Sequence, residues 1–171
     1  MPAIIRLAVP EDVQLLPAIE ASAAQAFRMI DELSWLAESP PMSIERHSQL
    51  IAQSTCWVAL DAENRPQGFL SAEPHGIDLH IYELSVIQSM QGQGTGQHLI
   101  EAAKDYARSS RLSFVTLTTF TNVPWDAPFY SRMGFQTKTT TDLDQEASGD
   151  IRRGVQSTDS LPKIVVLWHG Q

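Results

Sequence analysis

Cysteine is nearly absent from this chain of 171 residues, since Cys56 has no second cysteine with which to form a disulfide bond. A single thiol suits a reducing compartment, so we expect a cytoplasmic protein. The first residues lack a basic segment followed by a long apolar run, which argues against a secretory signal. No apolar run is long enough to cross a bilayer, and we therefore expect no membrane association.

Positive charge is also scarce, because 12 Lys and Arg stand against 20 Asp and Glu and give a formal net charge of −8. Nucleic-acid binding depends on clustered Lys and Arg, so this balance argues against DNA or RNA as a partner. It is compatible with a cationic small molecule, although a solvated acidic surface is the simpler explanation and the preferred one. The 5 histidines show no metal-ligand spacing, and we expect no metal site.

The remaining composition is that of a globular protein, with 43% hydrophobic and 19% charged residues. Such a length suffices for one core, and we expect a single domain over residues 1–171. Internal repeats are absent. The order of predicted elements, β-α-α-β-β-β-α-β-α-β-β, predicts an α/β fold in which helices flank a mixed sheet.

Apolar spacing and capping residues predict the individual elements. Strands are predicted at residues 4–8, 56–60, 68–72, 77–87, 112–120, 135–141 and 163–168. Helices are predicted at residues 10–27, after the N-cap Ser43, after Gly96 and after Asp126, with Lys104 on the solvent-facing side of the third. Loops are predicted at 31–42 and at the polar segment 142–161, which is long enough to be functional or disordered.

A glycine-rich segment, Gln-Gly-Gln-Gly-Thr-Gly at residues 91–96, lies between a predicted strand and a predicted helix. Glycines let the backbone turn tightly and present consecutive N–H groups to an anion, and a helix start adds partial positive charge. The segment lacks the Gly-Lys-Ser/Thr ending of an NTP-binding loop and the glycine spacing of a dinucleotide-binding fold. It therefore indicates either another kind of phosphate-binding loop or a glycine-rich turn without a ligand.

Three motifs together resemble the GNAT superfamily of N-acetyltransferases. The pattern Gln-x-x-Gly-x-Gly at 91–96 follows a strand that ends in Glu-Leu-Ser-Val at 83–86. Residues 130–135, Tyr-Ser-Arg-Met-Gly-Phe, are similar to the Tyr-x-x-x-Gly-Phe motif at the end of that family's last helix. Ile-Arg-x-Ala at 5–8, followed by Asp12, resembles its opening strand and helix, so the resemblance spans about residues 4–137.

The resemblance implies a central twisted mixed sheet with helices on both faces, and an acetyl-CoA cleft between splayed parallel strands at 77–87 and 112–120. The pantetheine arm is expected to pair with the backbone of Leu84, Ser85 and Val86 like an added strand. The diphosphate is expected to rest on amides of the loop. The implied contacts there are Gln91, Gly92, Gln93, Gly94, Thr95, Gly96 and Gln97, with Asn122 as a further candidate that a strand-end turn explains equally well.

Acetyl transfer to an amine requires a neutral nucleophile, although a lysine-like amine has a pKa of about 10.4. Glu83, a charged residue in an otherwise apolar strand, is the preferred candidate as base, as holder of a water, or as anchor for a cationic amine. His80 has a suitable intrinsic pKa and is the second candidate, although a histidine satisfied within the strand is the simpler explanation. Tyr130 holds the family position of the group that protonates the departing thiolate, and helix packing is its alternative.

The sequence thus predicts an N-acetyltransferase that uses acetyl-CoA as the donor substrate and a primary amine of a small molecule or peptide as the acceptor, by direct attack. A non-catalytic acyl-CoA-binding sensor is the alternative, and it would need neither Tyr130 nor Glu83. Substrate choice is expected to depend on segments 31–42 and 142–161. The sequence does not fix the oligomeric state, and a homodimer is compatible with it.

Overall fold

The computed structural model describes residues 3–120, 123–138 and 163–169, so Asn122 and the segment 142–161 lie outside the described residues. The described strands are β1 (Ile4–Leu7), β2 (Cys56–Leu60), β3 (Pro66–His75), β4 (Asp78–Val86), β5 (Phe114–Phe120), β6 (Gln136–Lys138) and β7 (Lys163–His169). The described α-helices are α1 (Leu16–Ala24), α2 (Ile44–Ala52), α3 (Thr95–Ser109) and α4 (Asp126–Ser131). Short 3-10 segments occupy Pro10–Leu15, Gln25–Met29, Asp31–Glu38 and Gln88–Met90.

The chain divides into two compact units. Strands β3 and β4 and helix α3 each contribute residues to both units. The first unit comprises Met1–Ala72 with Glu83–Ala102, and the second comprises Glu73–Tyr82 with Ala103–Gln171. The expectation of one domain over residues 1–171 stays a prediction.

In the first unit, the strands follow the order β1-β2-β3-β4. Antiparallel pairing joins β1 to β2, from Ile4↔Leu60 to Leu7↔Trp57, and also joins β2 to β3. A core cluster links α1 and α2 to the strands, and it consists of Ala8, Val13, Leu16, Ile19, Leu50, Ile51, Cys56, Val58, Leu60 and Phe69. Burial of each large apolar side chain in such a cluster stabilises the fold by about 1.5–3 kcal/mol.

A close approach between β3 and β4 explains the glycine at position 68. A Cβ atom at Gly68 would lie 3.1 Å from the carbonyl oxygen of Ser85 and 3.3 Å from Cγ2 of Val86. The first distance is shorter than ordinary van der Waals contact, and the main chain of β4 cannot rotate away as a side chain could. Glycine therefore lets β3 brace β4 at two residues that the sequence assigns to the cofactor.

In the second unit, the strands follow the order β3-β4-β5-β7-β6. The β4–β5 pair is parallel, from Asp78↔Phe114 to Ile81↔Leu117. Antiparallel pairing joins β7 to both β5 and β6. Because parallel and antiparallel pairs occur together and helices accompany the strands, the predicted mixed α/β fold is confirmed.

The segment predicted as a loop at 31–42 contains a 3-10 helix at Asp31–Glu38. Ser34 Oγ donates to the carbonyl oxygen of Asp31 at 2.9 Å, and Trp35 Nε1 donates to that of Glu32 at 3.1 Å. These bonds to residues three positions earlier match the 3-10 repeat, and Leu33 is fully buried. Local hydrogen bonds from side chains therefore stabilise this 3-10 helix, and a prediction from residue propensities does not include them.

The ion pair between Arg6 and Asp12 fixes the entry of the chain into its first helical segment. Arg6 Nη1 donates to Asp12 Oδ2 at 2.7 Å, and Nη2 donates to Oδ1 at 3.1 Å. The amide of Val9 donates to the same Oδ2 at 2.8 Å, as in a capping box. Burial raises the pKa of Asp12, but the Arg6 and Val9 hydrogen bonds and the Arg6 charge together hold this pKa below its ordinary value.

We expect Asp12→Asn to lower the free energy of unfolding at pH 7 by about 1–2 kcal/mol, because the amide keeps the shape but loses the charge-assisted bonds. Because the pKa of Asp12 is lower in the folded protein than in the unfolded chain, its contribution to the free energy of unfolding is complete above the unfolded pKa, near 3.8. This contribution is lost as the pH falls through the folded-state pKa. Urea denaturation at pH 7 and pH 3 measures this. Glu11→Gln, in the same turn but exposed, is the control, and an equal loss for Asp12→Asn at both pH values would contradict the assignment.

Candidate functional site

The loop after β4 adopts the backbone conformation that its glycines allow. Gly92 has φ +77° and Gly94 has φ +84°, both in the left-handed region where side chains other than glycine are strained. A Cβ at Gly92 would meet nothing within 4 Å, and one at Gly94 would lie 3.7 Å from Cε1 of His98. Conformation rather than crowding therefore requires these glycines, and space beside Gly92 stays open.

Two glutamines of the loop bond to the preceding main chain. Gln91 Nε2 donates to the carbonyl oxygen of Val86 at 2.9 Å, and Gln93 Nε2 donates to that of Ser89 at 3.2 Å. These side chains thereby tie the loop to the end of β4 and to the 3-10 turn. These two side chains hold the loop in shape.

Helix α3 begins directly at the end of this loop, at Thr95. The amides of a first turn have no acceptor within their own helix, and the helix dipole adds partial positive charge there. The first turn contains no acidic side chain to compete for that charge. Thr95, Gly96 and Gln97 can therefore present main-chain donors to a phosphate, as the sequence predicts.

Glu83 lies half-buried on β4, and its Oε1 accepts a hydrogen bond from Ser85 Oγ at 2.9 Å. This bond places the two side chains on one face of the strand, as the alternation predicts. The pKa of Glu83 is raised to about 8, chiefly by burial and also by the negative charge of Glu20, while the hydrogen bond from Ser85 acts in the opposite direction. A carboxyl with this pKa can take up or release a proton close to neutral pH.

Glu20, on α1, is a second carboxyl that the sequence interpretation missed. Its Oε2 accepts from the amide of Met42 at 2.7 Å, whereas its Oε1 is buried without a hydrogen bond among the described residues. Burial raises the pKa of Glu20, and the Met42 bond lowers it. The sequence did contain a signal for a buried Glu20, because this residue lies four positions after Leu16 and therefore on the apolar side of the helix.

The predicted cofactor strand positions are also well defined. Leu84 is half-buried, whereas Ser85 and Val86 are buried. Together with Glu83 and the loop at 91–97 they belong to the first unit, whereas His80 and Tyr130 belong to the second.

His80 is 6% exposed, and its Nδ1 lies 2.9 Å from Oγ1 of Thr116 on β5. The Thr116 hydroxyl in turn donates to Oδ2 of Asp78 at 2.9 Å. Burial lowers the pKa of His80 to about 4, and the charge of His75 acts in the same direction. The imidazole is therefore neutral near pH 7. The sequence interpretation included His80 but neither Asp78 nor Thr116.

Tyr130 lies on α4 and is 8% exposed. Its ring meets those of Phe129 and Phe135 edge to face, with centroids 5.0 Å and 5.7 Å apart. Its carbonyl oxygen accepts from the amide of Met133 at 3.0 Å, and the turn continues through Gly134 with φ +87°, the conformation that favours glycine after a helix. Packing against these two rings thus fixes the orientation of the Tyr130 ring.

Lys104 corrects one expectation, because it is 4% exposed rather than solvent-facing. Its Nζ donates to the carbonyl oxygen of Met133 and lies 5.4 Å from the ring centroid of Phe135. The Met133 carbonyl, just after α4, and the aromatic face of Phe135 stabilise the cation in place of solvent. Lys104 therefore fastens α3 to the Tyr-x-x-x-Gly-Phe turn and is not a candidate for cofactor binding.

Metal chemistry and cysteine chemistry find no support in the described ranges. No group of three His, Cys, Asp or Glu side chains within them could hold a metal ion. Burial raises the pKa of the Cys56 thiol to about 11, which makes it a poor nucleophile. Across the same ranges, the longest apolar helices fall short of what a membrane span requires.

Comparisons with known proteins complete this description. A family model described as an acetyltransferase (GNAT) domain matches residues 52–137. The fold is similar to PaiA N-acetyltransferase from Thermoplasma acidophilum in complex with coenzyme A, at 15% identity and a TM-score of 0.73, over 99% of both chains. It is also similar to a GNAT-family acetyltransferase from Staphylococcus aureus, at 14% identity and a TM-score of 0.71, over 99% of both chains.

A third similar structure is N-acetylglutamate synthase from Neisseria gonorrhoeae, complexed with coenzyme A and N-acetyl-glutamate. The identity is 16% and the TM-score 0.73, over 100% of this chain and 36% of that one. At these identities the likeness establishes the fold.

The raised pKa of Glu83 predicts a change in stability with pH. Between the ordinary value of 4.5 and about 8, the folded protein binds more protons at Glu83 than the unfolded chain does. The free energy of unfolding therefore falls as the pH rises through this window. Because glutamine cannot ionise, Glu83→Gln should lose this fall and be more stable than wild type at pH 8.5. Melting temperatures from pH 5 to pH 9 measure the effect.

The control for this measurement is Glu63→Gln, whose side chain is 68% exposed and should leave the pH dependence of wild type intact. Parallel melting curves for wild type and Glu83→Gln across the whole pH range would contradict the raised pKa.

Proposed function

The chain belongs to the GNAT family of acetyltransferases, and from this premise we propose that it transfers the acetyl group of acetyl-CoA to a primary amine of a small molecule or peptide. The observation that carries the proposal is the loop at 91–97, in which two left-handed glycines lead into the main-chain amides at the start of α3. A diphosphate is the anion that this arrangement suits, because its charge meets several N–H groups and a helix dipole at once.

The remaining part of acetyl-CoA is assigned to β4. The parallel pairs of this strand end at Ile81, whereas the strand itself continues to Val86. The pantetheine arm would extend along Leu84, Ser85 and Val86 and pair with their main chain as an added strand does. The close packing of β3 at Gly68 supports this part of β4 from its other edge.

Chemistry at the amine is assigned to Glu83. Moving a proton from an ammonium with a pKa of about 10.4 to a carboxylate with a pKa of about 8 costs roughly 3 kcal/mol. An ordinary carboxylate would face a cost more than twice as large. The charge of Glu20 strengthens Glu83 as a base and also favours a cation beside the pair.

The neutral amine then attacks the thioester carbonyl carbon, and the carbon–sulfur bond breaks as the amide bond forms. We assign Tyr130, which holds the family position that the resemblance implies, as the group that donates a proton to the leaving thiolate. The nitrogen loses its second proton to solvent in this step, and solvent returns a proton to Tyr130 after Tyr130 has protonated the thiolate. Cytoplasmic location, a homodimer, and roles for Asn122 and the segment 142–161 stay predictions from the sequence.

The loop is tested by coenzyme A binding, measured by calorimetry. Gly94→Ala should raise the Kd about tenfold, since an alanine relaxes the left-handed turn that aims the donors. Gly76→Ala is the matched control, because Gly76 has φ +60° in a turn outside the loop and should lose similar stability without losing affinity. A Gly94→Ala protein with wild-type affinity would remove the loop from the cofactor site.

The reaction is tested by release of free thiol from acetyl-CoA across a panel of amines and peptides. With an acceptor of low pKa, kcat/KM should rise with pH up to about 8 and then level, because Glu83 acts as a base only when ionised. Glu83→Gln should lose this inflection and about 100-fold or more in rate. Coenzyme A binding without thiol release for any acceptor would indicate the non-catalytic sensor instead.

The role of Tyr130 is tested by Tyr130→Phe, which should lower kcat by about 100-fold and leave the KM for acetyl-CoA unchanged, since it removes only the proton donor. Tyr106→Phe, on the half-buried face of α3, is the matched control and should keep wild-type kcat. Equal kcat for Tyr130→Phe and wild type would assign Tyr130 to packing alone.

A further inference from the structure

Two carboxyl groups and one hydroxyl group act on one another in the first unit, near the end of β4. Glu83 and Ser85 share one face of β4, and Glu20 belongs to α1. Helix α1 reaches this end of the strand, because Ser22 Oγ accepts a hydrogen bond from the amide of Gln88 at 3.2 Å. All five residues belong to the first unit.

The hydrogen bond between Ser85 and Glu83 distinguishes the two oxygens of the Glu83 carboxyl. Ser85 Oγ carries one proton, and it donates that proton to Glu83 Oε1 at 2.9 Å. Ser85 is only 2% exposed, so its hydroxyl meets this carboxyl with little competition from solvent. An ionised carboxylate only accepts hydrogen bonds, and Oε1 therefore has its donor before any substrate binds.

The second oxygen of this carboxyl, Oε2, has different surroundings. In the described part of the chain, the Glu83 side chain accepts one hydrogen bond, and that bond is at Oε1. Oε1 of Glu20 is one of the buried oxygens without a hydrogen bond in the same ranges, whereas Oε2 of Glu83 is not. Glu83 as a whole is half-buried. Oε2 is therefore the oxygen of Glu83 that a ligand can reach.

Glu20 acts on Glu83 through its charge. Among the described residues, it is the charged group that shifts the pKa of Glu83 from outside β4. Glu20 Oε2 accepts a hydrogen bond from the amide of Met42 at 2.7 Å. Burial raises the pKa of Glu20, and the Met42 bond opposes this and so favours the ionised form. The main chain at Met42 thus helps to keep a negative charge beside Glu83.

Ser85 and Glu20 act on Glu83 in opposite directions. Glu20 repels a second negative charge and raises the pKa of Glu83, whereas Ser85 stabilises the carboxylate and lowers this pKa. With a pKa of about 8, Glu83 is partly ionised near neutral pH and is still a much stronger base than an ordinary carboxylate. Loss of Ser85 would leave less carboxylate at this pH, and loss of Glu20 would leave a weaker base.

We propose that Ser85 and Glu20 are positioning residues for Glu83: Ser85 occupies Oε1 and leaves Oε2 to take the proton of the acceptor ammonium, while the charge of Glu20 makes Oε2 the stronger proton acceptor. This inference rests on the proposed function. An N–H bond of the ammonium breaks as an O–H bond forms at Oε2, the electron pair stays on the nitrogen, and Oε2 later releases the proton to solvent. Neither Ser85 nor Glu20 gains or loses a proton in this step.

Ser85 thereby belongs to two parts of the proposed site. Its main chain is assigned to the pantetheine arm, and its hydroxyl holds the base. The close approach of Gly68, where a Cβ would lie 3.1 Å from the carbonyl oxygen of Ser85, leaves this main chain little room to shift. One strand residue thus fixes the base relative to the donor, which favours attack by holding the reacting groups in place.

The position of the proton is tested without any turnover, by infrared difference spectroscopy of the full chain at pH 6, where Glu83 is protonated. The C=O stretching band of Glu83 is the one that Glu83→Gln removes. Ser85→Ala should move this band to higher frequency, because the carbonyl oxygen Oε1 loses its hydrogen bond. Ser85→Thr, which keeps a hydroxyl, should return it. Ser71→Ala, which removes a buried hydroxyl from β3, is the control and should leave the band in place.

The opposing effects are tested by two pH profiles, melting temperature and kcat/KM with an acceptor of low pKa. In wild type, the fall in melting temperature should end near pH 8, where the rise in kcat/KM also levels. Ser85→Ala should move both points up by about one pH unit, and Glu20→Gln should move both down by about one pH unit. A general loss of packing would not give shifts of opposite sign. Ser85→Ala keeps its main chain, so the KM for acetyl-CoA should stay unchanged.

The outcomes separate this inference from the proposed function. An unmoved infrared band in Ser85→Ala would overturn the assignment of the two oxygens, even in an active enzyme. Profiles of Ser85→Ala and Glu20→Gln that shift in the same direction, or do not shift, would overturn the positioning roles. Failure of wild type to release thiol with any amine would refute the proposed function and the proton transfer together, whereas the infrared band and the melting profile would still report on the Glu83 carboxyl.

Discussion

Burial of ionisable groups along β4 is the constraint on which the candidate chemistry depends. Asp78, His80 and Glu83 lie within six positions of one strand, in surroundings that disfavour charge. Each is accommodated differently: Asp78 accepts the Thr116 hydroxyl, His80 stays neutral, and Glu83 holds its proton to about pH 8. A fold that keeps such groups out of water loses stability, and it gains side chains whose protonation suits an amine near neutral pH.

The glycine loop, as the proposed diphosphate site, would have to attract an anion in a protein with a net charge of −8. It contains no charged side chain between Gln91 and Gln97, and the donors are main-chain amides backed by a helix dipole. Gln91 and Gln93 brace the turn from within. Under the proposed function, cofactor binding would not depend on the acidic residues, whose negative charge would favour a cationic acceptor.

Much of the fold could be predicted from local patterns. The strand at 56–60, the N-cap Ser43 and the helix after the glycine loop have the predicted places, because alternation, capping and glycine conformation act over a few residues. Lys104 and the 3-10 helix Asp31–Glu38 differ from the prediction. Lys104 is buried because a carbonyl oxygen 29 residues away accepts a hydrogen bond from its ammonium group, and no window of neighbouring residues contains that information.

The candidate site likewise has features that the local sequence predicts and features that depend on contacts between distant residues. By itself the sequence determined the family motifs, the glycine loop for which phosphate binding is proposed, and the unusual position of Glu83 in an apolar strand, because each is a property of residues adjacent in the chain. Only the tertiary structure decided that Thr116 meets His80 across 36 residues, and that Glu20 on α1 raises the pKa of Glu83. The physical reason is that a pKa and a tautomer depend on burial and on partners in space, which the chain acquires only when its strands and helices pack together.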